Sequence, residues 1–267
     1  MTKLGQHFLK NKAKIKKIFE ALELKDGDTV IEIGPGHGEL TKEIQKSKFK
    51  NQNDNLKIKI LAIEKDRQLA DYLRNKFEDD KNVEIIGGDA LKLLPQFTYD
   101  LRLATNNYKI VGNIPYYITG YLLRILGELN NKPSVIVLLI QKEVAERVCA
   151  NPPRINLLAA SVQFWAEAKI IGYVGKKDFR PAPKVDSAII KLAIRVQPLA
   201  TRKNTEDYYK FIKILFKQPR KTIVNNLRPI TNNIELITDN LKLFNINLKA
   251  RPQDLSIKQI IELSTLF

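Results

Sequence analysis

Sulfur and imidazole are scarce in this chain: its 267 residues hold one cysteine, one methionine and two histidines. A lone Cys149 excludes an intramolecular disulfide and a cysteine-rich metal site, and it fits a reducing compartment. With only His7 and His37 beside it, the ligand supply is too small for a catalytic metal, and none is expected. Long apolar runs are also missing. The longest, VIVLLI at 135–140, falls far short of the ~20 residues that a helix needs to cross a bilayer. The N-terminal MTKLGQHFLKNKAKIKK has no apolar stretch after its lysines, so no secretory signal is expected and the chain reads as soluble and cytoplasmic. Acids are the third shortage: 29 Asp and Glu stand against 45 Lys and Arg, a formal charge of +16. Such an excess attracts polyanions, nucleic acid first, although a lysine-rich solvated surface accounts for part of it.

What is present is an alternation of two periods. Ile15, Ile18, Phe19 and Leu22 fall at helical spacing. Then DTVIEI (28–33), KIKILAIEKD (57–66), NVEIIGGDA (82–90), YKIVGN (108–113) and SVIVLLI (134–140) read as short buried strands. Between them, ELTKEIQKS, DRQLADYLRNKF and TGYLLRILGEL read as amphipathic helices. This alternation predicts an α/β fold with a mostly parallel sheet covered on both faces. KIIGYV (169–174) and SAIIKLAIRV (187–196) read as two further strands at one edge. KSKFKNQNDNLK (46–57) is a polar loop, and QPLATRKNTED (197–207) is the best linker candidate. Helical patterns follow it, so the expected organisation is a sheet domain over 1–196 and a small helical domain over 197–267.

In such sheets ligands sit at the carboxyl ends of strands, near the point where strand order reverses. Four strand ends carry suitable chemistry. EIGPGHG (32–38) places Gly34, Gly36 and Gly38 in a turn that allows close backbone approach, without the spacing of the dinucleotide fingerprint. In IEKD, Glu64 or Asp66 can accept from a ribose diol, and Asp66 can equally be the cap of the next helix. In GGDA, Asp89 can accept from an exocyclic adenine amine. Asn113 ends the fourth. Together these suit a ligand with adenine, a ribose and a third group. NAD satisfies the first two; S-adenosylmethionine does so without a pyrophosphate site.

The fourth strand end, VGNIPYYITG (111–120), separates the two. An adenine exocyclic amine is a poor nucleophile, because its lone pair is delocalised into the ring. Two acceptors on its hydrogens favour a pyramidal nitrogen. Asn113 offers a side-chain carbonyl, and Ile114, extended because it precedes proline, offers its backbone carbonyl. Pro115 stiffens the turn, and Tyr116 offers a ring for stacking a purine. The bland alternative is a turn that uses Asn and Pro for ordinary turn reasons.

These residues resemble the ribosomal RNA adenine N6,N6-dimethyltransferases of the small subunit. The likeness includes GQHFL (5–9), EIGPGHGELT (32–41), AIEKD (62–66), GGDAL (87–91), VGNIPYYIT (111–119), QKEVAERV (141–148), FRPAPKVDSAIIKL (179–192), PRKTIVNNL (219–227) and ARPQDLSIKQIIEL (250–263). It implies a Rossmann-like methyltransferase sheet with a small C-terminal helical domain. It further implies transfer of methyl groups from S-adenosylmethionine to two adjacent adenines near the 3′ end of small-subunit (16S) rRNA, in ribosome biogenesis. By this resemblance His7, Leu9, Gly34, Glu64, Asp89 and Asn113 would line the cofactor site, with Gly36 and Gly38 in its glycine turn. Asn113, Ile114, Pro115 and Tyr116 would hold the amine, and Phe179 would stack on the base. Arg220 and Lys221 would touch the rRNA backbone. The expected partner is small-subunit rRNA or a precursor of that subunit, with no protein partner or membrane. The chain departs from the family in His7, where many relatives have Asn, in a shortened 149–165 stretch, and in Pro219, where a basic residue is common. The rivals are methylation of large-subunit rRNA, an assembly factor that acts by binding, and a nicotinamide-dependent oxidoreductase.

Overall fold

The computed structural model describes residues 6–47, 57–97, 108–195 and 202–267. In chain order the strands and helices are β1 (Phe8–Leu9), α1 (Lys12–Ala21), β2 (Thr29–Ile33), α2 (Glu39–Ser47), β3 (Lys59–Glu64), α3 (Arg67–Lys76), β4 (Val83–Gly87), α4 (Ala90–Phe97), β5 (Tyr108–Asn113), α5 (Thr119–Glu128), β6 (Val135–Gln141), α6 (Lys142–Val148), α7 (Leu157–Gln163), β7 (Ala166–Val174), β8 (Phe179–Arg180), β9 (Ser187–Ile194), α8 (Arg202–Leu215), α9 (Ile223–Leu227), α10 (Ile234–Leu243) and α11 (Ile257–Ser264). Contacts divide the chain into two compact units, Met1–Ala145 with Lys169–Ile194, and Glu146–Ala168 with Arg195–Phe267.

The first unit is built on a seven-stranded sheet of order β4-β3-β2-β5-β6-β9-β7. The strands from β4 to β6 are parallel to their neighbours, and β9 runs antiparallel to β6. The near-continuous apolar composition of the central strands follows from burial on both faces. Val30, Ala62, Val111 and Val137 pack on one side in a cluster with Ile15, Ile18 and Leu22. The alternate residues Ile31, Leu61, Ile110 and Ile136 are buried as well. From β2 the chain steps outward through β3 and β4, then returns to β5 on the other side of β2. Strand order therefore reverses between β2 and β5, where Gly34 and Asn113 lie at adjacent carboxyl ends.

A second, two-stranded sheet stands apart in sequence: β1 pairs antiparallel with β8, Phe8 opposite Arg180 and Leu9 opposite Phe179. Lys10 N–H extends it by donating to the Asp178 carbonyl at 2.8 Å. Asn11 caps α1 through the Ala13 and Lys14 amides and donates its own Nδ2 to Asp178 at 2.7 Å. The N-terminal end of the parallel strands is tied by charge. Lys109 and Asp28, with side chains 6% and 4% exposed, pair at 2.7 Å. Asp28 also accepts from the Lys25 amide at 2.7 Å.

In the second unit, Tyr208 of α8 stacks on Phe164 with ring centroids 3.9 Å apart and donates its hydroxyl to the Ala160 carbonyl at 2.9 Å. The buried Asn226 side chain accepts from the Gln218 amide and donates to the carbonyls of Gln218, Lys221 and Thr222. It thereby fixes the turn between α8 and α9. Of the stretch expected to be a linker, 197–201 lies outside the described residues, and 202–207 forms the first turns of α8. Most of the expected polar loop at 46–57 also lies outside them. Among the described residues no helix is long and apolar enough to cross a membrane.

Candidate active site

A pocket enclosing about 880 Å³ of empty space, its open mouth included, lies over the reversal of strand order. It draws Gly34 and Gly36 from the turn after β2, Glu64 from the end of β3, Asp89 from the turn after β4, and Asn113 from the end of β5. The strand ends singled out by sequence thus converge on one space.

Each is held by specific bonds. Glu64 is buried, 4% exposed, and its two oxygens accept from the Gly36 amide at 3.1 Å and the Asp66 amide at 2.9 Å. Burial raises its pKa above the usual carboxylate value, and the bonds from the Asp66 and Gly36 amides oppose that rise. Asp66 caps α3 through the Gln68 and Leu69 amides, one of the two roles its sequence position allowed. Asp89 accepts from the Leu91 amide at 3.0 Å and pairs with Lys65 at 2.9 Å. The Lys65 bond holds its pKa below the usual range.

Gly36 has φ +60°, and a Cβ placed there would lie 2.7 Å from the Phe8 ring. Its missing side chain therefore admits the N-terminal strand against the turn. Gly38 is placed differently: a Cβ there would meet Leu73 and Phe77 of the α3 side rather than the pocket.

Asn113 donates Nδ2 to the His7 backbone carbonyl at 2.7 Å. That bond fixes which end of the amide is which, and its Oδ1 has no hydrogen-bond partner among the described residues. His7 is tied in turn: its Nδ1 stands 2.8 Å from the Pro181 carbonyl, which can only accept, so this nitrogen carries the proton. The His7 ring stacks at 6.2 Å from Tyr116. Ile114 is 1% exposed and its amide is held by the Leu139 carbonyl at 3.0 Å. Pro115 and Tyr116 line the pocket beside it. The Tyr116 hydroxyl meets Ser187 Oγ at 2.9 Å, and burial raises its pKa. Phe179, 6% exposed, both joins the apolar core and lines the pocket.

Leu9 lines a second space of about 470 Å³ that shares Gly34, Gly36 and Asn113 with the first. Its floor includes Glu32, buried and accepting from Thr41 Oγ1 at 2.7 Å. Arg220 and Lys221 lie in the second unit, exposed on the turn that Asn226 fixes. Sequence reasoning passed over Phe8, Lys65, Ser187 and Glu32. Of these, Glu32 left a signal, an acid inside an apolar strand just ahead of the glycine turn.

Over residues 1–267 the chain matches the model of the family described as ribosomal RNA adenine dimethylase. It is 37% identical over 224 residues to the ribosomal RNA small subunit methyltransferase A of Dehalococcoides mccartyi strain CBDB1, covering 84% of this chain and 73% of that one. It is 36% identical over 267 residues to the protein of the same name in Mycoplasma capricolum, covering 98% and 95%. Among solved structures, a dimethyladenosine transferase from Plasmodium falciparum has a TM-score of 0.77 at 25% identity, covering 96% of each chain. The 23S rRNA methyltransferase ErmE has a TM-score of 0.76 at 24% identity, covering 97% of this chain and 98% of that one, a likeness of fold. With the family match running the length of the chain, and four strand ends meeting in one pocket, the chain belongs to the ribosomal RNA adenine dimethylase family and is an S-adenosylmethionine-dependent enzyme of it.

Proposed function

We propose that this pocket transfers methyl groups from S-adenosylmethionine to N6 of two adjacent adenosines near the 3′ end of small-subunit rRNA, giving N6,N6-dimethyladenosine during ribosome biogenesis. The identity to small-subunit methyltransferases over most of the chain carries the choice of target. The fold does not separate it from large-subunit methylation, since ErmE superposes equally well. A substrate of this kind sets the work in the cytoplasm, on small-subunit rRNA or a precursor of that subunit.

The donor set suits the cofactor. The Glu64 oxygens each keep a lone pair beyond the amide they already accept, enough for two ribose hydroxyls. Asp89 keeps capacity for an adenine amine beside Lys65. His7 and Gly34 line the same pocket, Leu9 lines the adjoining space, and Gly36 and Gly38 shape the turn. S-adenosylmethionine, when bound, supplies an electrophilic methyl on its sulfonium. The protein's part is positioning. Asn113 Oδ1 and the Ile114 carbonyl accept the two amine hydrogens, Pro115 holds the turn, and Tyr116 and Phe179 offer faces to the base. The attacking nitrogen becomes acidic as it gains a carbon, so acceptors suffice in place of a strong base. Arg220 and Lys221, from the helical part at 197–267, meet the rRNA backbone.

The test uses labelled S-adenosylmethionine, small and large subunits lacking these modifications, and identification of the labelled nucleoside. Dimethyladenosine confined to the small subunit is expected, with the rate lowered by about 10²–10³ in Asn113→Ala. Label in the large subunit alone overturns the target, and full activity in Asn113→Ala overturns the role of the amide.

A further inference from the structure

Tyr116 is half-buried, but the next ring is not. Tyr117 is 65% exposed and Tyr121 is 57% exposed. Tyr117 lies on the short 3-10 turn Tyr116–Ile118, which runs directly into α5. Within α5, positions 121, 124 and 128 recur at intervals of three and four, so they share one face of the helix, and Tyr117 stands exposed on the turn that leads into it. The opposite face is closed: Leu122, Leu123, Ile125 and Leu126 are buried in the core. The exposed face thus carries two tyrosines, then Arg124 paired with Glu128 at 2.9 Å.

Between the tyrosines stands Gly120. A Cβ added there meets nothing within 4 Å, and its φ is not positive. Glycine weakens a helix, and neither packing nor backbone conformation in this fold calls for one at this position. A reason outside the fold is a neighbour that comes close to the backbone.

Tyrosine joins a large apolar ring to a polar end, which is why it is enriched on surfaces that a partner covers. Tyr117 also lines the candidate active site, so the face continues outward from the pocket that receives the base. We infer that Tyr117, Gly120 and Tyr121 form a stacking ledge for the nucleotides next to the target adenosine, with Gly120 leaving room for the sugar-phosphate chain between the rings. Base-on-ring stacking suits this place because an adenine withdrawn from its stack leaves neighbours with exposed faces. Such a ledge holds the strand while the base is positioned. This rests on the reading of the pocket as the amine site, and the two fail differently: Asn113→Ala lowers kcat, whereas loss of the ledge raises KM.

The variants are Tyr121→Ala, Tyr121→Phe and Gly120→Gln, assayed on unmodified small subunits. Tyr121→Ala is expected to raise KM for the subunit by about tenfold, the scale of one stacked base. The kcat, the affinity for S-adenosylmethionine and the melting temperature should be unchanged, and Tyr121→Phe should restore KM. Gly120→Gln should melt higher, because the helix gains a better former, and still raise KM. An unchanged KM in Tyr121→Ala and Gly120→Gln overturns the ledge, and failure of Tyr121→Phe to restore KM overturns stacking. A photo-crosslinking benzoylphenylalanine in place of Tyr121 should mark the rRNA. An adduct with a ribosomal protein, or with neither, overturns RNA as the occupant.

Discussion

Replacing Glu32 by Gln should remove a pH dependence from the stability of the first unit. Glu32 lies on β2 at 2% exposure, and burial pushes its carboxyl up from 4.5 to about 7. The Thr41 hydroxyl works against that rise, and the charge of Glu64 adds to it. The folded pKa lies above the unfolded one, so the folded state binds the proton more tightly. Its contribution to stability is complete below pH 4.5 and is lost as pH rises through about 7. A shift of this size corresponds to about 3 kcal/mol. Glutamine keeps the shape and an acceptor for Thr41 but cannot ionise. The gain in stability of Glu32→Gln over the natural protein should therefore be about 3 kcal/mol larger at high pH than at low.

The assay compares both proteins at pH 4.5 and 8.5 by urea unfolding, with amide exchange of Ile31 and Ile33 to report on β2 itself. Exchange matters because two units need not unfold together. Glu64, also raised by burial, is present in both proteins, so its direct contribution cancels in the double difference. The same gap between variant and natural protein at both pH values would refute the argument. It would mean that the Glu32 carboxyl ionises in the fold at no extra cost.

Lys109→Met should destabilise the protein by about 3–5 kcal/mol in denaturant, because it leaves the buried Asp28 carboxylate without its cation. Adding Asp28→Asn should recover part of that loss; no recovery would show that packing, not charge, was at stake. Reversal of Arg220 and Lys221 to Glu should weaken rRNA binding and flatten the slope of log affinity against log salt, by about 0.7–0.9 for each lost phosphate contact. An unchanged slope would move the RNA surface elsewhere.

The parallel sheet was legible because its strands are buried on both faces, which prints unbroken apolar runs between amphipathic helices. The strand YKIVGN coincides with β5 for this reason. Less was legible where few residues form an element. β1 is two residues long, too short for any period, and its partner β8 is another pair far along the chain. The stretch 197–207, read as a linker, is mostly polar, and a helix packed on one side is also polar over most of its surface. Arg202–Leu215 buries Tyr208, Phe211, Ile212 and Leu215 and leaves much of the rest to solvent. The polar residues 202–207 are the start of that helix.

The candidate site divides along the same line. Glu64, Asp89 and Asn113 were legible as candidates because each ends or closely follows a strand, and a parallel sheet must deliver its carboxyl ends to one side. What local sequence cannot show is which atoms those side chains have left to offer. Asn113 is the clearest case. A free amide can present either end to a ligand, and a donor end would oppose the chemistry proposed here. The His7 carbonyl removes that ambiguity by taking the Nδ2 hydrogen. His7 reaches Asn113 because Phe8 and Leu9 are zipped to Phe179 and Arg180, and because Gly36 has no side chain to exclude Phe8. Residues near 7, 36, 113 and 180 therefore determine one property, the identity of the atom at the amide's open end. Asn113→Asp tests that dependence, for it keeps an acceptor and sets a carboxylate against the His7 carbonyl. If the orienting bond matters, this variant should lose activity much as Asn113→Ala does; if it retains activity, an acceptor in that place is enough.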